Sequence, residues 1–72
     1  MLTINSYGQV DTAYFNSYND HISKLIDNGN YELAQVKADS LLLLSKRQDY
    51  QPGIAEAYNL KGIINRDQSN LR

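Results

Sequence analysis

Cysteine and tryptophan are absent from this 72-residue chain, and proline and histidine occur once each. Without cysteine the chain has no disulfide, no thiol nucleophile and no thiolate metal ligand. The chain contains seven lysines and arginines and eight aspartates and glutamates, and its sequence has no basic stripe of the kind that binds nucleic acid. The longest apolar run, Leu41 to Leu44, is far shorter than the ~20 residues that span a bilayer. The composition therefore predicts one small domain, with neither membrane insertion by this segment nor nucleic acid as a partner.

The first ten residues are polar and mixed, and we expect residues 1–10 to form a loose leader. They lack the basic and then apolar pattern of a secretory signal. The compartment therefore stays open between the cytoplasm and, if a signal has been removed, the periplasm.

A first helix is predicted over residues 12–28, because large apolar side chains recur at helical spacing from Tyr14 to Ile26. Asp11 or Thr12 suits its N-cap, since a short oxygen-bearing side chain accepts a bond from an early N–H. Asn28-Gly29 suits its end, because glycine adopts the left-handed conformation at little cost. The same dipeptide also suits a β-hairpin, but the helical period on both sides favours the helix ending.

A second helix is predicted over residues 31–47, with Asn30 as its N-cap. Four consecutive leucines, Leu41 to Leu44, point in all directions around the axis of a helix. They predict a middle helix that packs between two others, or else an exposed patch that a neighbour covers; the middle helix is favoured.

A third helix is predicted over residues 52–66, after a linker at 48–51, because Pro52 suits a first helical turn. Gly62 lies inside it at a cost of about 1 kcal/mol relative to alanine. That cost predicts the close approach of another helix, either the second helix or a fourth helix missing from this chain. Residues 67–72 are predicted to form a turn.

The chain also contains a short internal repeat, since Tyr18-Asn19 recurs as Tyr58-Asn59, an offset of 58 − 18 = 40 residues. A period of this size is typical of helical repeat proteins. The pattern around both copies resembles the tetratricopeptide repeat in its order of large, medium and small residues. The matching positions are Tyr18, His21, Ile22, Leu25, Ala34 and Ala38 in the first copy, and Tyr58, Lys61, Gly62 and Asn65 in the second.

The chain departs from the family pattern at several of these positions. Ile22 stands where the family has glycine, His21 and Lys61 where it has leucine, and Asn65 where it has an aromatic residue. The offset of 40 also exceeds the family's ~34 residues. The resemblance covers about one and a half repeats. It implies an all-α, right-handed superhelix fragment, made of a helix hairpin and the first helix of the next repeat.

Two polar stripes carry the functional prediction. In repeats of this family, the first helices line a groove that holds peptides, and the resemblance implies that role for one stripe on each such helix. The positions are Asn16, Asn19, Ser23, Ile26, Glu56, Asn59, Ile63 and Arg66. A solvated helix face accounts for the same stripes, since every amphipathic helix has a polar side. Both interpretations stay open.

No group of residues in the sequence predicts catalysis, a metal site or a cofactor. His21 is the only histidine, and its neighbour Asp20 points away from it on a helix. It is therefore predicted to lie at the edge of the core. Tyr14, Tyr18 and Tyr58 lie on packing stripes and are predicted to be core residues.

The favoured function is thus a non-catalytic protein–protein interaction module that binds a protein or peptide. Residues 55–62 resemble repeats that precede bacterial sensor kinases or transcription regulators, which implies part of a larger signalling or regulatory protein. The alternative is a structural oligomerisation domain that self-associates through its third helix, by helix exchange or direct pairing. That alternative rests on the expectation that Ile54, Leu60, Ile63 and Ile64 cannot all face the first two helices.

Overall fold

Three α-helices follow one another along the chain. A computed structural model describes the backbone of residues 11–70 and the side chains of residues 11–69. The helices are α1 (Thr12–Asp27), α2 (Tyr31–Arg47) and α3 (Gln51–Asn70), and residues 11–70 contain no strand. The predicted all-α fold is therefore confirmed. The predicted leader, residues 1–10, lies outside the described residues.

The start of α1 is held by the side chain of Asp11. Its Oδ1 accepts a hydrogen bond from the backbone N–H of Tyr14 at 3.1 Å. This bond satisfies one of the N–H groups that have no partner inside the helix. Asn30 is the N-cap residue of α2, as predicted, but its side chain makes no capping bond.

We expect Asp11→Ala to lower the free energy of unfolding by about 1 kcal/mol, because the capping bond is lost. Asn30→Ala is the matched control, and its cost should be much smaller because no side-chain bond disappears. Urea denaturation followed by circular dichroism measures both values. Equal losses in the two variants would contradict the capping role of Asp11.

The turn between α1 and α2 ends α1 at the predicted glycine. Gly29 has a φ of +77°, in the left-handed region. The N–H of Gly29 donates to the carbonyl of Ile26 at 2.9 Å, and that of Asn30 donates to Leu25 at 2.8 Å. This pair of bonds is the Schellman ending, which satisfies carbonyls that the helix leaves unpaired.

The turn between α2 and α3 repeats this design without glycine. Asp49 has a φ of 52°. Its N–H donates to the carbonyl of Lys46 at 3.1 Å, and the N–H of Tyr50 donates to Ser45 at 2.9 Å. A side chain in the left-handed region is uncommon, although aspartate adopts it more readily than most. The sequence pattern therefore predicted only a linker here.

Helices α2 and α3 run antiparallel. Ser45 faces Gly53 close to the connecting turn. Further from the turn, the ammonium group of Lys61 forms an ion pair with the Asp39 carboxylate. Both ends of this pair are partly exposed, so it contributes little to stability, at most about 1 kcal/mol.

The core lies where all three helices meet, and three small alanines allow the helices to approach closely. The buried apolar residues are Phe15, Ile22, Ile26, Ala34, Ala38, Leu41, Ala57, Leu60 and Ile64. Helix α2 packs against both neighbours, which confirms its predicted middle position. Of its four consecutive leucines, only Leu41 is fully buried, whereas Leu43 is 55% exposed.

The apolar residues of α3 are covered to different degrees. Leu60 and Ile64 are buried, and Ile54 and Ile63 are half-buried. Ile63 packs against the core, whereas Ile54 is not among the half-buried residues that do so. The expectation that these four cannot all face the first two helices therefore stays a prediction.

Helix α3 is also longer than predicted. Residues 67–70, predicted to begin a turn, continue the helix as far as the structure describes it. The segment is polar and therefore carries no apolar period. It also has no glycine or proline that would end a helix.

The close helix contact lies at Gly53 and not at Gly62. A Cβ atom added at Gly53 would lie 2.2 Å from Ser45 Oγ, whereas one added at Gly62 would meet nothing within 4 Å. The second helix is therefore not the close neighbour of Gly62, and the approach of a fourth helix stays a prediction.

Candidate functional site

A cleft of about 130 Å³ opens where α1 and α3 lie side by side on α2. Helix α1 contributes polar side chains to one wall, α3 and the turn before it form the other wall, and apolar side chains form the floor. The lining residues are Phe15, Asn16, Asn19, Leu41, Tyr50, Pro52, Gly53 and Glu56.

The second turn builds one end of this cleft. Because Asp49 reverses the chain, the Tyr50 ring reaches α1 and packs on Phe15, with 4.7 Å between the ring centroids and a tilt of 42°. Gly53 then lets α3 approach α2 closely at Ser45. Glu56, one turn further along α3, is thereby brought to the wall opposite Asn16 and Asn19.

Two of the residues that line the cleft, Asn19 and Glu56, carry hydrogen-bond acceptors. Oδ1 of Asn19 is buried and has no hydrogen-bond partner. Glu56 is half-buried and forms no ion pair with any residue between 11 and 69. A buried acceptor without a partner costs roughly 1–3 kcal/mol. A donor on a bound segment removes this penalty only if the Asn19 side chain turns toward the cleft, because Oδ1 has less than 1 Å² of accessible area.

The structure brings together only part of the predicted stripes. Asn16, Asn19 and Glu56 meet in the cleft. The other five positions, Ser23, Ile26, Asn59, Ile63 and Arg66, do not line it.

These five side chains have varied surroundings. Ile26 is 8% exposed and belongs to the core, so its side chain is not presented to a ligand. Ser23 and Ile63 are half-buried, and Asn59 is exposed. Arg66 is exposed, with Nε 3.3 Å from the carboxylate of its neighbour Asp67.

The residues that sequence reasoning missed are the apolar and backbone elements of the cleft. Phe15 and Leu41 were recognised only as packing residues, and Tyr50 fell in the linker. Pro52 was recognised as a helix start. The adjacent Gly53 is the signal that was available, since glycine directly after a proline in a first helical turn can mark a tight contact as well as a turn.

A second, shallower hollow lies between α1 and α2. It is lined by Tyr14, Ser17, Tyr18, His21 and Lys37. His21 is exposed and Tyr14 is 49% exposed, so neither occupies the predicted core position.

Tyr18 and Tyr58, the two tyrosines of the internal repeat, also differ in how much of each side chain is exposed. Tyr18 is half-buried and stacks edge-on against Tyr14, with 5.8 Å between centroids. Tyr58 is 53% exposed, and the ammonium group of Lys46 lies 5.9 Å from its ring centre. The prediction of core tyrosines was wrong for Tyr14 and Tyr58, because helical spacing marks a face without showing whether a neighbour covers it.

Among residues 11–70, no group of three or more histidine or carboxylate side chains is placed to hold a metal ion. None of the three described helices is long and apolar enough to cross a membrane. Comparison of the chain with protein-family models, curated proteins and solved structures finds no match.

Proposed function

We propose that this chain is a non-catalytic protein–protein interaction module whose α1–α3 cleft binds an extended segment of a partner protein. The observation that carries the proposal is that Asn19, whose Oδ1 is buried without a hydrogen-bond partner, lines an open cleft together with Glu56. A backbone N–H or a side-chain donor of the bound segment satisfies this acceptor.

The charge of the cleft favours a lysine or arginine side chain on the bound segment. Glu56 is the charged residue among the cleft-lining side chains. A cationic side chain donates to its carboxylate, and such charge-assisted bonds are roughly twice as strong as neutral ones. Tyr50, which is half-buried, offers apolar surface to the methylene stem of the same side chain.

We also propose that the fold is a fragment of a tetratricopeptide-like right-handed superhelix. The small positions of the first copy support this, since Ala34 and Ala38 are 0% exposed. In the second copy Tyr58, Gly62 and Asn65 are exposed on one side of α3. In a repeat array, the next helix would cover that side. The place of this fragment in a larger bacterial signalling or regulatory protein rests on the resemblance alone.

A peptide library displayed on phage and selected on the whole chain tests the proposal. We expect enrichment of peptides with lysine or arginine. Asn19→Ala and Glu56→Gln should each lower their affinity by about tenfold, because each removes an acceptor from the cleft. Asn59→Ala is the matched control, since this exposed asparagine lies outside the cleft, and affinity should not change.

Three results would overturn parts of the proposal. A library without enrichment would contradict peptide binding. Equal affinity for the wild type and for Asn19→Ala would place binding outside the cleft. Selected peptides without basic residues would contradict the role of Glu56.

A further inference from the structure

The outer face of α2 carries an exposed apolar stripe formed by Leu33, Val36 and Leu43. These side chains are 40%, 58% and 55% exposed, respectively. Their spacing of three and seven residues places them on one side of the helix. Leu41, on the opposite side of α2, lies in the floor of the cleft. The outer stripe is therefore a separate surface, and an inference about it does not depend on peptide binding.

Charges of opposite sign stand at the two ends of this stripe. Glu32 lies at its start and Arg47 at its end, and both are exposed. Neither forms an ion pair with another residue of the described part of the chain. The nearby cation Lys46 is directed toward α3, where it lies over the Tyr58 ring. Arg47 is therefore the cation at this end of α2 that can pair with an acidic group on the outer face.

The stripe is self-complementary at Val36, Leu43 and its two charged ends, whereas Leu33 lies opposite the position of Lys46. Glu32 and Arg47 lie symmetrically about a point between residues 39 and 40, and Val36 and Leu43 lie symmetrically about the same point. An antiparallel second copy of α2, rotated about that point, meets each acidic end with a basic end. It also meets Val36 with Leu43. Ser40, at the centre, is small enough for the two helices to approach closely.

Asp39 does not oppose this pairing. Its carboxylate is drawn toward α3 by Lys61 and also accepts a bond from Gln35 Nε2 at 3.3 Å. The two copies of Asp39 therefore do not meet unpaired at the rotation axis.

We propose that two copies of this chain associate through the outer faces of α2, in an antiparallel and two-fold symmetric pair. A two-fold interface uses the same patch on both copies, which is the property that this stripe has. The stripe is smaller than the ~800 Å² per partner of a standard stable interface. The pair is therefore weak, with a dissociation constant on the order of 100 μM, and the stripe differs from the α3 surface that the sequence predicted for self-association.

Sedimentation equilibrium of the full chain, from about 10 μM to about 1 mM, measures this association. We expect a monomer–dimer equilibrium whose dissociation constant rises at least about tenfold in Val36→Glu, because a charge is placed twice in the apolar stripe. Tyr58→Glu is the matched control on the exposed face of α3, and it should dimerise like the wild type. A monomer at every concentration, or a loss of dimer in Tyr58→Glu but not in Val36→Glu, would overturn the proposal.

Charge reversal tests the antiparallel register. Glu32→Arg and Arg47→Glu should each be largely monomeric, because like charges then meet at both ends of the interface. An equal mixture of the two variants should dimerise again, since every contact in the mixed pair joins opposite charges. Thermal melts of each variant show that it remains folded. If the mixture stays monomeric while the wild type dimerises, the antiparallel pairing is wrong.

Discussion

Leu41→Ala is expected to leave most of this chain unfolded at room temperature. Leu41 is 1% exposed and lies beneath the cleft, beside Phe15. Truncation of a buried leucine to alanine costs about 2–5 kcal/mol, because it removes apolar contacts and leaves a cavity. A core of this size rarely provides more than about 3–5 kcal/mol of net stability. The loss is therefore comparable to the whole free energy of unfolding.

Leu43→Ala is the matched control for this prediction, since it changes the same residue type two positions later. Its side chain is 55% exposed. We expect a loss below about 1 kcal/mol, because less apolar area leaves the protein interior and alanine favours the helix. Urea denaturation followed by far-ultraviolet circular dichroism measures both variants. Similar losses in the two would show that the four leucines are covered equally, contrary to the described packing.

Gly53→Ala is expected to destabilise the fold by about 1–3 kcal/mol, although alanine is the better helix former. The new methyl group would lie 2.2 Å from Ser45 Oγ, 2.9 Å from Tyr50 Cδ2 and 3.0 Å from Ser45 Cβ. Rotation of the serine hydroxyl does not remove the last two contacts. Helix α3 must therefore move away from α2, which also disturbs the Tyr50 end of the cleft.

Gly62→Ala is the control in the same helix and should raise the free energy of unfolding by about 1 kcal/mol, because its methyl group meets nothing within 4 Å. Thermal and urea denaturation give both signs directly. A stabilised Gly53→Ala variant would mean that α2 and α3 do not approach closely at that point.

A second substitution at Ser45 identifies the cause of the loss. Ser45 is 0% exposed, and its Oγ has no hydrogen-bond partner. Ser45→Ala alone should therefore be neutral or slightly stabilising, since it removes a buried polar group that forms no bond. Combined with Gly53→Ala, it should recover part of the lost stability, because the nearest clashing atom is gone. Simple addition of the two single effects would contradict direct contact between these residues.

The local signals in the sequence predicted most of the helix boundaries. Asp11 caps α1, Gly29 ends it and Pro52 lies in the first turn of α3, as predicted. Each signal acts within a few residues through backbone hydrogen bonds or a restricted φ, so no distant contact is needed to recognise it. The left-handed conformation of Asp49 was not predicted, because a non-glycine residue in the left-handed region is uncommon. The end of α3 was not predicted either, because the segment contains no glycine or proline that would end a helix.

The candidate site was predictable only in part. The internal repeat at Tyr18-Asn19 and Tyr58-Asn59 led to the prediction of Asn16, Asn19 and Glu56 as site residues, and these three line the cleft. Helical spacing on the first helix also selected Ile26, which is buried, and the offset of 40 selected Asn59, which lies outside the cleft. A fixed offset assigns equal surroundings to both helices. Here α1 and α3 differ, because α3 packs against α2 more extensively than α1 does.

By itself, the sequence determined three helices, their order and the two places where the chain turns, because helical period and helix ends are local properties. Tertiary structure alone decided which leucine of Leu41 to Leu44 is covered and which glycine permits a close approach. It also decided that Asn19, and not Asn59, of the internal repeat lines a cleft. Each of these depends on the distance between helices, and that distance is set by the volumes of side chains far apart in the sequence, such as Ser45 against Gly53.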